Sequence, residues 1–379
     1  MPPPVQHSET LVDSNTDLSF LAHKEAALIP ALVGTRLGEV ASNPQPIEIS
    51  VDASQQSKKE PLSVGTQRGA PHSVCHGRVS DPEAMVPPAW WKSVFADEMY
   101  LKTDGDVVED ADITLSEIRL LEADPVIQPV LAKGRHQVNH HGEEREKERN
   151  HKNRVLDLCC GQGRHTLKLV ELYPGLELHG HDQSEYLIQL ARSRAALAPQ
   201  EAKDRMAFTI GDCRSIPHPD ESFALVLIMG NSFGYFASDN ADSMVLREVE
   251  RVLQPGGVVV LDVTDGAYMR ENFSARSWEW IDDTMITCRE RQLSKDKKRL
   301  ISREVVILAD KGVIRDQFYQ ERLYDYHELA ELMREAGLKM ASLEEDKLVT
   351  GQESKRGEDL GMMGQRDFVV AYKPLQEGA

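Results

Sequence analysis

The stretch Val155-Leu156-Asp157-Leu158-Cys159-Cys160-Gly161-Gln162-Gly163-Arg164-His165-Thr166 constrains this chain more than any other. A short run ending in an acid, then small residues with two glycines, then a helix-compatible segment, predicts a buried strand turning sharply into a helix. Glycine has no Cβ and accepts positive φ, so Gly161 and Gly163 let the main chain touch a nucleoside-sized ligand at the N-terminus of the following helix. Asp157 suits a cationic partner nearby. A Gly-x-Gly pair is common in tight turns, so the pattern downstream has to decide.

That pattern is regular. Leu176 to Asp182 reads as a second strand ending in a carboxylate about 20 residues after the glycines, the spacing at which an acid reaches ribose hydroxyls in dinucleotide folds. Asp182 is therefore the ribose candidate. Met206 to Ile210 is a third strand running into Gly211-Asp212-Cys213, and Phe223 to Met229 is an apolar run of the kind buried on both faces of a parallel sheet. A fifth strand, Val258 to Val263, follows the turn Leu253-Gln254-Pro255-Gly256-Gly257. Strands alternating with helical patterns predict an α/β fold with an open parallel sheet that binds ligands at its carboxyl edge. Thr166 stands where a third glycine of Gly-x-Gly-x-x-Gly would be, which weakens an NAD reading.

Together, Val155 to Gly163, Asp182, Gly211-Asp212 and Leu253 to Gly257 resemble the class I S-adenosylmethionine-dependent methyltransferases, strongly over 154–265 and more weakly to about 373. The resemblance implies a Rossmann-like sheet and S-adenosylmethionine as cofactor. It implies that Asp157, Gly161 and Gly163 lie by the methionine moiety, that Asp182 with Gln183 holds the ribose, and that Gly211, Asp212 and Cys213 flank the adenine. Met229, Gly230 and Asn231 would face the sulfonium. Cys159 departs from the glycine frequent in that family at this place.

The formal net charge of −18 repels phosphate backbones and argues against nucleic acid as a partner. Five cysteines without a CxxC pair fit reduced thiols and a cytoplasmic setting. No apolar run approaches the roughly 20 residues that span a bilayer, so no membrane association is expected. Residues 1–85, rich in Pro, Ser, Gln and Gly, read as a largely disordered tail without a targeting segment. Residues 86–133 read as a helical lid, with Trp91, Phe95, Tyr100 and Asp104 as candidates to exclude water. Residues 134–153 form a charged linker in which His136, His140, His141 and His151 are better read as solvated than as metal ligands, so no metal is expected.

Residues 154–265 are the cofactor-binding core. Residues 266–326 interrupt the alternation with Ser277 to Asp282, Thr284 to Leu293, Leu300 to Leu308 and Ile314 to Tyr324, an antiparallel β insert. Residues 327–375 complete the core, with a helix over Glu328 to Ala336, a pair of strands at Leu338 to Leu343 and Phe368 to Tyr372, and a loop at Gly351 to Gly364 that borders the pocket. One side of the insert offers Trp278, Trp280, Arg322 and Tyr324 to an acceptor, and its other side suits a homodimer.

A sulfonium already activates its methyl group, so the protein has to hold a nucleophile in line and exclude water. Asn231, Phe233 and Tyr235, on the loop after the fourth strand, are acceptor-site candidates; the alternative is a loop whose aromatics bury themselves. Candidate bases are His165, Tyr235, Glu279 and His327. No His-Asp or Cys-His arrangement stands out, which favours an amine over a hydroxyl. The expected function is N-methylation of a small molecule or peptide, similar to the fungal enzymes that methylate secondary metabolites and peptide toxins. A macromolecular methyltransferase, an O-methyltransferase and a non-catalytic member of the fold remain alternatives.

Overall fold

A computed structural model describes residues 77–135, 153–341 and 365–375. Five short helices come first: α1 (Trp91–Val94), α2 (Met99–Thr103), α3 (Gly105–Val108), α4 (Ala111–Ala123) and α5 (Gln128–Lys133). Then strands and helices alternate. β1 (Arg154–Leu158), α6 (Arg164–Leu172), β2 (Glu177–Asp182), α7 (Glu185–Ala195), α8 (Gln200–Lys203), β3 (Met206–Ile210), β4 (Phe223–Ile228), α9 (Asp239–Val252) and β5 (Leu253–Thr264) follow in order. After α10 (Gly266–Asn272) come β6 (Arg276–Trp280), β7 (Met285–Leu293), β8 (Arg299–Leu308) and β9 (Gly312–Arg322). The chain closes with α11 (Tyr326–Glu335), β10 (Lys339–Met340) and β11 (Arg366–Tyr372).

The main sheet has the order β10-β11-β5-β4-β1-β2-β3. β1 runs parallel to both β2 and β4, β3 to β2, and β5 to β4, whereas β11 is antiparallel to β5 and β10. Strand order reverses between β1 and β4, which leaves a crevice at their carboxyl ends. Every residue of β4 is buried, as its unbroken apolar run requires of a central strand. On one face Val245, Leu246, Val249 and Val252 of α9 pack with Leu329 and Met333 of α11. On the other lie Ile118 and Leu121 of α4, Leu131 of α5, and Leu169 and Val170 of α6.

Local chemistry sets the helix starts. Ser184 caps α7 by accepting from the Leu187 N–H, and Asp325 with Glu328 forms a capping box on α11. The fifth strand begins earlier than its apolar run, at Leu253, because Leu253 already pairs with Phe223 and the Pro-Gly-Gly turn is taken up as an irregularity before Val258 pairs with Leu225. The insert is a four-stranded antiparallel sheet, β6-β7-β8-β9, whose strands begin or end a residue or two from the expected positions. Of the expected final pair, β10 is only two residues long, and Leu343 and Gly351 to Gly364 lie outside the described residues. So do His136, His140, His141, His151 and most of the expected tail. Among the described residues, no helix is long and apolar enough to cross a membrane, and no group of three or more His, Cys, Asp or Glu is arranged to hold a metal.

Candidate functional site

At the carboxyl ends of β1 to β4 a cleft of about 840 Å³, open mouth included, is roofed by the lid helices. Its walls include Cys159, Gly161, Asp182, Gln183, Asp212, Cys213 and Gly230 from the core, Tyr100 from the lid, and Phe233 and Tyr235 from the loop after β4.

The two glycines of the β1 turn do different jobs. Gly161 has φ +54°, and an added Cβ would meet nothing nearer than Leu187 at 3.8 Å, so the main chain there is open to a ligand. Gly163, at φ +76°, caps α6, and a Cβ on it would come within 2.9 Å of the Phe208 ring. It serves close packing rather than the cleft. Cys159 adopts φ +60°, a left-handed conformation that explains why a glycine suits this place. The neighbouring Cys213 thiol, followed by burial, pushes the Cys159 thiol well up from its ordinary value.

Asp182 is held for its position by backbone donors. Its Oδ2 accepts from Gly161 N at 2.9 Å and its Oδ1 from Ser184 N at 2.7 Å. Burial raises its carboxyl, and these N–H groups work against that rise. Each oxygen keeps a further lone pair for a hydroxyl donor. Asp212, by contrast, is engaged by Arg214, whose Nε and backbone N each lie 2.9 Å from Oδ1; this hydrogen bonding lowers the Asp212 carboxyl. The Arg214 guanidinium in turn lies 4.3 Å over the Phe236 ring, so two residues of the cleft wall, Asp212 and Phe236, are tied together by a cation that does not itself line the cleft.

Several sequence candidates lie elsewhere. Asp157 is buried behind the turn, its Oδ2 accepting from Thr166 N at 3.1 Å and Thr166 Oγ1 at 2.7 Å; it staples β1 to α6 and does not line the cleft. Gly211 leaves room for the His181 ring, 2.7 Å from where a Cβ would sit. Met229 is buried in the core beside Leu227 and Val260. Asn231, at φ +57°, points inward: its Oδ1 accepts from Thr264 N at 2.9 Å and its Nδ2 donates to the Glu321 carboxylate. His165 is buried with its Nε2 2.8 Å from Glu117 Oε2, out of reach of an acceptor. Arg322 Nε and Tyr324 Oη both bind Asp242 Oδ2, at 3.2 and 2.8 Å, in a buried bridge between insert and α9. Burial pushes the Asp242 carboxyl up to about 6. Trp278 and Trp280 are 65% and 58% exposed on the outer face of the insert. Glu279 is paired with Arg289, and His327 borders a separate surface depression with Lys298 and Glu331.

What sequence reasoning missed is mostly support. Ser232, Gly234, Phe236, Leu187, Ile228 and Val245 complete the walls. Behind them, Glu117 binds Arg164 and His165, and Arg366 joins Glu117 at 2.7 Å to Asp262, whose Oδ2 accepts from Gly230 N at 2.9 Å. Burial alone would raise Glu117, but Arg164 and His165 hold it well below the usual carboxylate range. The signal was available: a carboxylate shares the buried face of α4 with Thr114, Ile118 and Leu121.

The lid is fastened on two sides. Ser184 Oγ donates to Phe95 O at 2.5 Å, Gln162 Nε2 to Val108 O at 2.8 Å, and Arg289 of the insert to Thr103 O at 2.9 Å. Trp90, Phe95, Tyr235 and Tyr319 then pack ring to ring, with Phe95 and Tyr235 stacked at 6.0 Å.

Glu321 supplies a pH-dependent stability. Burial pushes its carboxyl up to about 7, against the pull of Asn231. A raised acid binds its proton more tightly when folded, so its favourable contribution is full below about pH 4.5 and is lost as pH rises through 7. Glu321→Gln keeps an acceptor for Asn231 and removes the titration. In urea titrations from pH 5 to 8, wild type should lose up to about 3 kcal/mol relative to the variant; parallel curves would exclude Glu321 as the source.

Comparison with known proteins places these features among relatives. Residues 155–257 match a sequence family described as a methyltransferase domain. The chain is 25% identical over 192 residues to the Bacillus subtilis (strain 168) protein YqeM, which is named as a methyltransferase; the match covers 50% of this chain and 74% of that one. It is 37% identical over 108 residues to a demethylmenaquinone methyltransferase of Lactococcus lactis subsp. lactis (strain IL1403), covering 28% of this chain and only 40% of the relative. Among solved structures it is similar to the CcbJ methyltransferase of Streptomyces caelestis, with a TM-score of 0.47, 20% identity, and coverage of 59% and 83% of the two chains.

Proposed function

We propose that the chain, whose residues 155–257 match a methyltransferase domain, is a class I S-adenosylmethionine-dependent methyltransferase that methylates the nitrogen of a small-molecule or peptide amine. S-adenosylmethionine, when bound, supplies a methyl group already activated for transfer. The residues present fit that cofactor: Gly161 leaves its main chain open to the methionine part, Asp182 offers lone pairs to a ribose diol, and Asp212 and Cys213 border the adenine end.

One observation carries the choice of an amine. Among the described residues lining the cleft there is no Lys, Arg or His. The two carboxylates there, Asp182 and Asp212, are engaged with backbone N–H groups and with Arg214. Burial pushes the phenols of Tyr100 and Tyr235 up, away from any role as a base near neutrality. A hydroxyl acceptor gains from a base, whereas a neutral amine brings its own lone pair. The aromatic walls formed by Trp91, Phe95, Tyr100, Phe233, Tyr235 and Phe236 exclude water and attract the cationic product through ring faces. A roofed cleft and a net charge of −18 favour a small molecule or peptide over nucleic acid.

The test is transfer of labelled methyl from S-adenosylmethionine into an extract of the source organism, fractionated by size, with fragmentation of the labelled product. Label on nitrogen in the small-molecule fraction supports the proposal; label in macromolecules or on oxygen overturns it. With the acceptor in hand, Tyr235→Phe should keep kcat within about twofold, since a base would contribute 100-fold or more. Tyr235→Ala, which removes a wall, should lower kcat/KM by about tenfold or more, the scale of lost positioning.

A further inference from the structure

β6 lies at the edge of the insert sheet, and its sequence is Arg276-Ser277-Trp278-Glu279-Trp280. Two large aromatics side by side on a strand that is unpaired on one side among the described residues are uncommon on a monomer, because edges are normally blunted by charge, proline or cover. The inner face of β6 is taken: Glu279 pairs with buried Arg289, and Ser277 Oγ accepts from Arg291. The outer face presents Arg276, Trp278 and Trp280 to solvent.

The hydrogen-bond parity of β6 follows from its ends. Arg291 N donates to Ala275 O, and Ile281 N donates to Met285 O. In an antiparallel pair, bonded residues alternate along the strand. Residues 275, 277, 279 and 281 therefore face β7, and Arg276, Trp278 and Trp280 direct their N–H and C=O groups outward from the sheet. The three residues with outward main-chain groups are the same three whose side chains are exposed.

We propose that β6 pairs antiparallel with β6 of a second copy about a two-fold axis at Trp278, joining the two inserts into one continuous sheet. In that register Trp278 opposes the partner subunit's Trp278, and Arg276 opposes the partner subunit's Trp280, a cation over an aromatic face on each side of the axis. Each of these pairs is a bonded pair that exchanges two N–H···O bonds, while Ser277 and Glu279, whose main-chain groups face β7, fall in the non-bonded pairs between them. The Arg276 carbonyl already accepts from Ser274 Oγ and retains its second lone pair. A one-residue slip would oppose residues whose main-chain groups are already spent on β7, so the sequence selects the register as well as the partner. Each chain carries −18, so the copies repel at long range and salt should favour the dimer.

The experiment is sedimentation velocity of the full chain over a range of concentrations at low and high salt. Wild type should show a concentration-dependent dimer whose dissociation constant falls at least several-fold with added salt. Trp278→Pro removes one outward N–H and the central ring while leaving the β7 ladder intact, and should sediment as monomer at all concentrations tested. Cofactor titration and thermal melting of the same sample establish that the variant is folded. Should it lose the fold, Trp278→Lys, which places like charges opposite each other across the axis, serves the same test. A monomeric wild type, or a folded variant that still dimerises, overturns the proposal.

Discussion

Alanine in place of Asp182 should weaken S-adenosylmethionine binding by about 100-fold, measured by calorimetric titration. In the proposed binding mode a ribose diol would donate two hydrogen bonds to this carboxylate, and bonds to charged groups contribute about 1.5–3 kcal/mol each. The same carboxylate fixes the Gly161 and Ser184 N–H groups, so its loss also frees the turn that the cofactor has to touch. Asp182→Asn, which retains one acceptor oxygen, should fall between the two. Unchanged affinity in the alanine variant would place the ribose elsewhere.

Arg366→Leu should destabilise the protein by about 3–5 kcal/mol, the cost of leaving a buried carboxylate without its cation. Arg366 is fully buried and bridges Glu117 to Asp262, so one substitution leaves Asp262 without its cation and Glu117 with Arg164 and His165 alone. The added effect is local to the site. Asp262 holds the Gly230 N–H and Glu117 holds Arg164, so the variant should lose cofactor affinity even where it remains folded. Adding Asp262→Asn to Arg366→Leu should recover part of the lost stability in urea titrations, because it removes the orphaned charge. An additive double variant would deny the coupling.

The strands of the core were legible because their apolar runs and the turns between them repeat a short-range rule, and Gly161, Asp182 and Asp212 sit at fixed distances from those turns. Gly163 and Gly211 were legible as necessary glycines, but their neighbours, Phe208 and His181, come from other strands. The acceptor side was less readable. Arg322 and Tyr324 looked available as a cation and a phenol at the end of a strand, yet both are committed to Asp242, 80 and 82 residues away in sequence. Trp278 and Trp280 pointed to a pocket by residue type, but their face depends on β6 parity, which shifts with a single residue of register. His165 follows the glycine turn as a catalytic histidine would, and its partner Glu117 lies 48 residues upstream on a helix that charge patterning alone does not place against it.

The fastening of the lid bears on the tempo of the reaction. Gln162, inside the cofactor turn, holds Val108, while Ser184 and Arg289 hold Phe95 and Thr103. For a nucleoside-sized ligand that enters beneath these helices, several of the ties have to release together. Entry and departure are then paced by how often the helices lift, an event of microseconds to milliseconds. The observed association rate should level off as cofactor concentration rises, and turnover should track solvent viscosity more closely than the nucleophilicity of the acceptor.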